Sequence, residues 1–210
     1  MDAIIFDLDG TIIDTLDDLA ELSNRVLDEF GMPQHSRDEI QTFIGNGALA
    51  LMYQAVPEGT PDEITQKALL RWKKLNPLHT AHSKPYPGME ETLTELHNRG
   101  VRLAVLSNKF DLGVHAMVEA KLPGKFDLLR GEREDTPRKP DPTGLLKVIA
   151  ELKTQAANCA YVGDSPGDIL VAKNAGCMAV GVNWGYRSVK ELEAAGADII
   201  ISKPEDLLSL

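Results

Sequence analysis

The sequence Ala3-Ile4-Ile5-Phe6-Asp7-Leu8-Asp9-Gly10-Thr11 joins an apolar run directly to two closely spaced carboxylates. The run has the length and the β-branched content of a strand that is buried on both faces. Asp7 and Asp9 therefore emerge at the carboxyl end of a strand, which is the edge where open α/β sheets bind ligands. Their side chains leave a strand on opposite faces, so both can serve one site only if the chain turns at Gly10-Thr11.

Two crowded carboxylates indicate a bound cation. Such groups repel each other and raise each other's pKa, and a divalent cation removes the repulsion. The competing interpretation of Asp7 and Asp9 is a plain turn, because Asp-Gly is a common hairpin signal. The motif by itself supports both interpretations about equally, so the decision depends on the rest of the chain.

Two candidate anion ligands lie farther along the chain. Ser107-Asn108 closes the apolar run 102–106, where a hydroxyl and free backbone N–H groups can hold an anion without adding charge. Lys139 lies in the turn-rich segment 134–142. Taken singly, the first pair is an ordinary start of a loop, and the lysine is an ordinary solvated charge. Only their combination with the acidic motifs gives them weight.

A second acidic pair, Asp164 and Asp168, follows the apolar run 159–162. One helical turn separates the two acids, and this spacing lets both face one cation. For Asp168 the alternative is an acid in the first turn of a helix, where the helix dipole favours negative charge. That alternative is weaker for Asp164, because its small neighbours leave the carboxyl group near the open edge of the sheet.

In chain order the motifs are Asp-x-Asp, Ser, Lys and Gly-Asp-x-x-x-Asp. Together they resemble the haloacid dehalogenase superfamily in its aspartate-nucleophile phosphatase branch, and the resemblance covers nearly the whole chain. Phosphatases and phosphomutases of that superfamily have the second acid, here Asp9, whereas its dehalogenases and phosphonatases lack it. Residues 43–48, 107–109 and 181–187 further resemble the phosphoglycolate phosphatase group, although groups acting on pyrophosphate, nucleotides or sugar phosphates share parts of this pattern.

The resemblance implies three catalytic residues, Asp7, Asp9 and Lys139. Asp7 would attack phosphorus and form an aspartyl-phosphate. Asp9 would protonate the leaving oxygen and then activate the water that hydrolyses the intermediate. Lys139 would keep Asp7 ionised.

The resemblance also implies two sets of ligands. The metal would be Mg²⁺, which prefers hard oxygen ligands. It would be bound by Asp7, the main-chain carbonyl of Asp9, Asp164 and, through water or indirectly, Asp168. The phosphate would be bound by Gly10, Thr11, Ser107, Asn108 and Lys139.

Residues 15–82 have the periodicity of helices and contain no convincing strand. The patterns predict one helix from Thr15 to Phe30, a short one after Ser36, one over 48–56 and one over 61–75. Two capping boxes are expected at helix starts, one at Thr15 with Asp18 and one at Ser36 with Glu39.

This helical segment is too long for an ordinary loop, and its position straight after the first strand suits a lid over the site. In the resembled superfamily such an insert is the helical cap. The expected domains are therefore a catalytic core, residues 1–14 and 83–210, and a cap, residues 15–82. The hinges would lie near Asp14-Thr15 and His82-Pro85.

Helix and strand patterns alternate after Gly88, which indicates a mainly parallel sheet with helices on both faces. Strands are predicted over 102–107, 126–130, 159–163, 178–183 and 198–201. The fold class is therefore α/β, with a Rossmann-like three-layer parallel core and an inserted helical cap.

Selectivity among phosphate esters must come from the cap, since the core contacts only phosphate. Gly45-Asn46-Gly47 is the candidate substrate loop, because glycines permit close backbone approach and Asn46 can hydrogen-bond a polar ligand. A tight turn between two helices explains the same residues equally well. Arg71, Lys73 and Lys74 could meet a substrate carboxylate, but a solvated helix face is the favoured explanation.

Composition limits the partners. A length of 210 residues is ample for a packed core, and a formal net charge of −10 argues against nucleic acid. No apolar run approaches the ~20 residues of a membrane span, and no signal peptide is evident. Cys159 and Cys177 lack metal-type spacing, which predicts buried thiols in a reducing cytoplasm. A monomer or weak homodimer is expected.

The predicted function is Mg²⁺-dependent hydrolysis of a small phosphate monoester, with 2-phosphoglycolate as the first choice. A β-phosphoglucomutase-like phosphomutase, and a phosphatase for pyrophosphate, nucleotides or sugar phosphates, stay open as alternatives. A receiver-like signalling domain is disfavoured by the helical insert and by the Gly-Asp-x-x-x-Asp motif. A catalytically silent scaffold is disfavoured because every required group is present.

Overall fold

The computed structural model describes residues 1–210. The strands are β1 (Ala3–Phe6), β2 (Ile13–Asp14), β3 (Lys84–Pro85), β4 (Arg102–Phe110), β5 (Leu128–Glu132), β6 (Cys159–Gly163), β7 (Met178–Val182) and β8 (Ile199–Ile201). The helices are α1 (Leu16–Glu29), α2 (Arg37–Phe43), α3 (Gly47–Ala55), α4 (Asp62–Leu75), α5 (Met89–Asn98), α6 (Asp111–Lys121), α7 (Thr143–Glu151), α8 (Pro166–Ala175) and α9 (Val189–Ala194). Short 3₁₀ helices cover Asn76–Leu78, Ala156–Asn158 and Pro204–Ser209.

Six strands form one parallel sheet in the order β5-β4-β1-β6-β7-β8. β1 lies between β4 and β6, so that Phe6 is level with Val105 on one side and Val162 on the other. Later strands are therefore added on both sides of β1, with β4 and β5 on one side and β6, β7 and β8 on the other. The carboxyl ends of β4, β1 and β6 border the crevice where open α/β sheets bind ligands. With helices on both faces, this arrangement confirms the predicted α/β fold.

The side chains of β1 enter two different cores. Ile4 and Phe6 pack with residues of α5 and α6 on one face of the sheet, and Ala3 and Ile5 pack with residues of α7 and α8 on the other. Because both faces are covered, every residue of the strand is apolar. The first polar side chain, Asp7, therefore marks the point where the strand ends.

Helices α1–α4 form a layer with an apolar core of its own, to which Leu22, Met52 and Trp72 contribute. Phe110, the last residue of β4, also belongs to this core. The helical layer therefore lies against the carboxyl edge of the sheet. None of the helices combines the length and the apolar character that crossing a membrane requires.

Two short strands connect the helical layer to the sheet. Ile13 of β2 pairs with Pro85 of β3, and Asp14 pairs with Lys84, in an antiparallel arrangement. Each strand has only two residues, too few to show a period in the sequence. The two connections between the layers therefore run side by side.

The capping box expected at Thr15 and Asp18 is wrong. Thr15 makes no side-chain capping bond, and its hydroxyl donates instead to Asp9 Oδ1 at 2.7 Å. Asp18 accepts the backbone N–H of His82 at 3.1 Å and the N–H of Ser83 at 2.7 Å, as well as the Ser83 hydroxyl. Burial raises the pKa of Asp18, but these bonds outweigh it and leave the pKa below its ordinary value. Both side chains therefore bond to groups outside α1 instead of capping its first turn.

The strand bounds differ from the prediction on one side of the sheet. β4 extends to Phe110, beyond the predicted end at residue 107. β5 runs over Leu128–Glu132 rather than 126–130, because pairing resumes after a register shift with Phe110 level with Glu132. The capping box at Ser36 and Glu39 is confirmed.

Candidate active site

Four chain segments bring acidic and basic side chains to one place at the carboxyl edge of the sheet. Asp7 follows β1, and its N–H donates to Val162 O of β6 at 2.9 Å. Asp164 follows β6, Ser107 lies in β4, and Lys139 lies in the loop after β5. All four of these polar side chains are buried. The structure thus assembles the motifs that are scattered along the sequence.

Asp7, Asp164 and Asp168 form a cluster of buried carboxylates. One oxygen of each lies within 4.8 Å of the others. Burial raises the pKa of Asp164, and repulsion by Asp168 and Asp7 raises it further. Burial also raises the pKa of Asp168, although Lys139 opposes the rise. Crowded acids of this kind are stabilised when a cation binds between them.

The donor set fits a divalent metal ion. Carboxylate oxygens are the hard ligands that Mg²⁺ and Ca²⁺ prefer. Asp7 Oδ1 is buried and accepts no hydrogen bond, although it forms an ion pair with Lys139 Nζ at 2.9 Å. A carboxylate oxygen can accept more than one ligand, so Asp7 Oδ1 can bind a cation in addition to its contact with Lys139. The three acids could therefore hold a metal ion.

Asp164 is held from two sides. Its Oδ1 accepts the Thr11 hydroxyl at 3.1 Å, and its Oδ2 accepts the backbone N–H of Tyr186 at 2.8 Å. Gly10 has a φ of 83°, and a Cβ built there would lie 2.5 Å from Asp164 Oδ2. Only glycine satisfies both the backbone conformation and the close approach. The turn after β1 is thereby fixed against the second acidic motif.

Asp168 performs both roles that its sequence position allows. At the start of α8 its Oδ2 accepts the backbone N–H of Ser165 at 3.0 Å and the Ser165 hydroxyl at 2.6 Å, which completes a capping box. Its Oδ1 meanwhile accepts from Lys139 Nζ at 2.6 Å. The helix start therefore positions this acid within the carboxylate cluster.

Lys139 has three partners. Besides the contacts of Nζ with Asp168 and Asp7, it donates to the Tyr161 hydroxyl oxygen at 2.9 Å, and Tyr161 donates in turn to Leu106 O at 2.6 Å. Burial lowers the pKa of Lys139, but the attraction of Asp168 and Asp7 outweighs it and holds the pKa well above its ordinary value. The lysine is thus a fixed positive charge beside Asp7. Sequence reasoning missed Tyr161, whose only signal is a hydroxyl within a buried strand.

Asp9 lies beside the connection between the layers. Its Oδ1 accepts the Thr15 hydroxyl at 2.7 Å and Lys109 Nζ at 3.0 Å, and its Oδ2 lies 3.4 Å from the same nitrogen. The sequence prediction gave Lys109 no role of its own, because a lysine at the end of a strand has no local signal. The structure places it against the second acid of the first motif.

The Asn108 side chain braces two loops. Its amide nitrogen donates to Gly45 O at 3.0 Å and, more weakly, to Lys139 O at 3.4 Å. Its Oδ1 accepts the backbone N–H of Lys139 at 3.0 Å. Because both polar atoms of the Asn108 side chain have protein partners, any contact of this residue with phosphate would be made by its main chain. The neighbouring Ser107 Oγ accepts the N–H of Lys109 at 3.2 Å.

The loop after β7 fastens the helical layer to the sheet. Arg187 donates to three main-chain oxygens near the end of α2, those of Gln41, Thr42 and Ile44, at 3.1, 3.3 and 2.8 Å. The Tyr186 hydroxyl oxygen accepts the N–H of Thr15 at 2.9 Å. These roles join residues more than 140 positions apart, so no local pattern could have revealed them.

A small cavity lies between the helical layer and the carboxyl edge of the sheet. Its volume is about 40 Å³, which is room for roughly three water molecules. Polar groups of the sheet form one side, and Leu19, Ile44, Leu51, Trp72 and Phe110 form most of the other. The cavity therefore has a polar side at the sheet and a largely apolar side at the helical layer.

The predicted substrate loop reaches this cavity only in part. Gly45 and Gly47 line it, whereas Asn46 is exposed, makes no side-chain bond at the start of α3, and does not line the cavity. A contact between Asn46 and substrate stays a prediction. Arg71 is paired on the surface with Glu29, at 2.6 and 2.9 Å, which agrees with the expected solvated helix face.

Comparisons with known proteins agree with this geometry. The family model for haloacid dehalogenase-like hydrolases matches residues 4–182. The phosphoglycolate phosphatase of Aquifex aeolicus is 33% identical to this chain over 211 residues, covering 100% of this chain and 96% of that protein. The phosphoglycolate phosphatase of Vibrio parahaemolyticus is 31% identical over 216 residues, covering 99% and 94%. The crystal structure of a predicted phosphoglycolate phosphatase from Haemophilus somnus has a TM-score of 0.93 at 29% identity, covering 100% and 97%.

Proposed function

This chain belongs to the haloacid dehalogenase-like hydrolase family and is a phosphatase, and on that basis we propose that its substrate is 2-phosphoglycolate. The main support is the cavity that Asp7 and Asp9 line, with Lys139 Nζ 2.9 Å from Asp7 Oδ1. Relatives named phosphoglycolate phosphatase match this chain over its whole length at about 31–33% identity.

Asp7 is the proposed nucleophile. Its carboxylate attacks phosphorus, the bond from phosphorus to the ester oxygen breaks, and an aspartyl-phosphate forms on Asp7. The position at the end of a central strand keeps the attacking oxygen fixed, and the ion pair with Lys139 Nζ at 2.9 Å holds the carboxylate in place. Lys139 is also a proposed phosphate ligand, together with Gly10, Thr11, Ser107 and Asn108.

Asp9 is the proposed general acid and base. Its carboxyl group gives a proton to the departing glycolate oxygen, and its carboxylate then takes a proton from the water that attacks the aspartyl-phosphate. The Thr15 hydroxyl, 2.7 Å from Oδ1, and Lys109 Nζ, 3.0 Å away, orient the group. Products are glycolate and inorganic phosphate, and Asp7 returns to its initial state.

Mg²⁺ is the proposed metal. Asp7, Asp164, Asp168 and the main-chain carbonyl of Asp9 would hold it. When bound, it would neutralise charge on the phosphate oxygens. The crowded carboxylates, and the absence of a hydrogen bond to the buried Asp7 Oδ1, support this assignment.

Residues 15–82 are proposed to be a cap domain that closes over the core, residues 1–14 and 83–210, and selects the substrate. Its separate apolar core and the paired connections β2 and β3 support this division. The proposed hinges, near Asp14-Thr15 and His82-Pro85, coincide with those connections. Closure would exclude water from the aspartyl-phosphate until the product alcohol leaves.

The test is a substrate panel with the purified protein and Mg²⁺. It contains 2-phosphoglycolate, ethyl phosphate, pyrophosphate, nucleoside monophosphates and hexose phosphates. We expect the highest kcat/KM for 2-phosphoglycolate. A higher kcat/KM for any other compound would overturn the substrate assignment, and conversion of a hexose phosphate to its isomer without phosphate release would establish the phosphomutase instead.

A further inference from the structure

Lys109 is a buried cation that lines the cavity, and its role in the proposed hydrolysis is limited to orienting Asp9. Its side chain is 3% exposed, and Nζ contacts only the carboxylate of Asp9, at 3.0 and 3.4 Å. An ammonium group has three N–H donors, and a buried charge needs partners for them. Lys139, by comparison, has contacts with three different groups. Lys109 therefore has donor capacity left over beside the cavity.

Apart from the proposed phosphate ligands, the rest of the cavity offers little else to an anion. Arg187, the other cation that lines it, directs both terminal guanidinium nitrogens to main-chain oxygens of the helical layer. The opposite wall is largely apolar. A second anionic group of a substrate, besides the phosphate, would be strongly destabilised in this space unless it met Lys109.

The chemistry of the reaction places a substrate group close to this lysine. The ester oxygen must lie next to Asp9 to receive its proton. In 2-phosphoglycolate the carboxylate carbon is only two bonds from that oxygen. A group held beside Asp9 is therefore within reach of the nitrogen that already lies 3.0 Å from Asp9 Oδ1.

We propose that Lys109 binds the carboxylate of the substrate and so selects small phosphate monoesters that carry a carboxylate beside the ester carbon. This inference rests on the proposed function. It assigns substrate recognition to the core strand β4, in addition to the cap loop. The aliphatic stem of the lysine packs within the wall of the site, and the charge meets the substrate.

The experiment compares 2-phosphoglycolate with ethyl phosphate, in which a methyl group replaces the carboxylate. Lys109→Met should lower kcat/KM for 2-phosphoglycolate roughly ten- to a hundred-fold more than for ethyl phosphate, mainly through KM. Lys109→Arg should restore most of the preference because it keeps the charge. Lys67→Met, at an exposed lysine paired with Glu63, is the matched control and should leave the preference unchanged.

The outcomes separate the two proposals. If the wild-type protein prefers 2-phosphoglycolate but Lys109→Met lowers kcat/KM for both substrates equally, Lys109 only positions Asp9. This inference then fails, while the proposed function stands. If the wild-type protein does not prefer 2-phosphoglycolate, the proposed substrate fails and the inference with it. Circular dichroism verifies folding, and Lys109→Gln, which can still hydrogen-bond Asp9, provides the same comparison if Lys109→Met does not fold.

Discussion

The side-chain amide of Asn108 donates to the main-chain oxygen of Gly45 at 3.0 Å, which ties the end of a core strand to the helical layer. The same side chain holds the main chain of Lys139 through Oδ1 at 3.0 Å. One residue thus links the position of Lys139 beside Asp7 to the position of the helical layer. Loss of this side chain should affect both.

Asn108→Ala should lower kcat/KM for all substrates and lower the free energy of unfolding by about 1–3 kcal/mol, because it leaves buried polar groups without partners. Urea unfolding and steady-state kinetics measure the two effects. Asn98→Ala, at an exposed asparagine, is the control. If Asn108→Ala kept the wild-type kcat/KM and the wild-type free energy of unfolding, the hydrogen bonds of Asn108 to Gly45 and Lys139 would not be important.

Asp168→Ala should destabilise the metal-free protein more than Asp164→Ala. It removes the closest partner of the buried Lys139 and the capping box of α8, and breaking a buried ion pair typically costs about 3–5 kcal/mol. Asp164 has no cationic partner and repels its neighbours. Urea unfolding in the presence of a chelator compares the two variants. Equal losses, or a larger loss for Asp164→Ala, would contradict this ranking.

Chelation should abolish activity, and Mg²⁺ should restore it. Ca²⁺ should inhibit, because its larger and more variable coordination shell places the reacting oxygens differently. Activity measured in excess chelator, and again after each ion is added, tests the assignment. Full activity in the chelator would show that the carboxylate cluster works without a metal.

The stabilisation by Mg²⁺ should grow as pH rises. Burial raises the folded-state pKa of Asp164 and Asp168 above the ordinary value of 3.8. Between the unfolded and folded pKa values the folded state binds more protons than the unfolded state, so this contribution to the stability of the metal-free protein falls as pH increases. The metal binds the deprotonated form and offsets that loss.

Thermal unfolding with and without Mg²⁺ tests this pH dependence. The increase in Tm produced by Mg²⁺ should be larger at pH 8 than at pH 5. Taking the difference at each pH cancels the contributions of carboxylates that do not contact the metal. An increase that is equal at both pH values, or larger at pH 5, would contradict the proposed coupling.

The sequence predicted the strand-end acids Asp7 and Asp164 because each follows a continuous apolar run, and it predicted Asp168 from its spacing of one helical turn after Asp164. Asp7 and Asp164 end buried strands that are neighbours in a parallel sheet, and parallel strands present their carboxyl ends at one edge. Lys139, in contrast, was assigned through the order of the motifs, since its loop has no local signal.

Other features depend on contacts between distant residues. Thr15 and Asp18 carry a local capping signal, but Asp9 and Ser83 are the partners that they meet in the folded chain. Arg187 and Lys109 look like surface charges in the sequence and are fixed only by tertiary contacts. Local propensity is a weak guide wherever tertiary partners compete for the same groups.

The central claim, that Asp7 is the nucleophile of a phosphatase, is tested most directly by Mg²⁺-dependent hydrolysis of 2-phosphoglycolate by Asp7→Asn. An amide is a poor nucleophile, so the variant should keep its fold and lose essentially all turnover. Asp2→Asn, at an exposed acid before the same strand, should retain wild-type turnover. If Asp7→Asn instead retained turnover comparable to that of Asp2→Asn, Asp7 would not be the nucleophile.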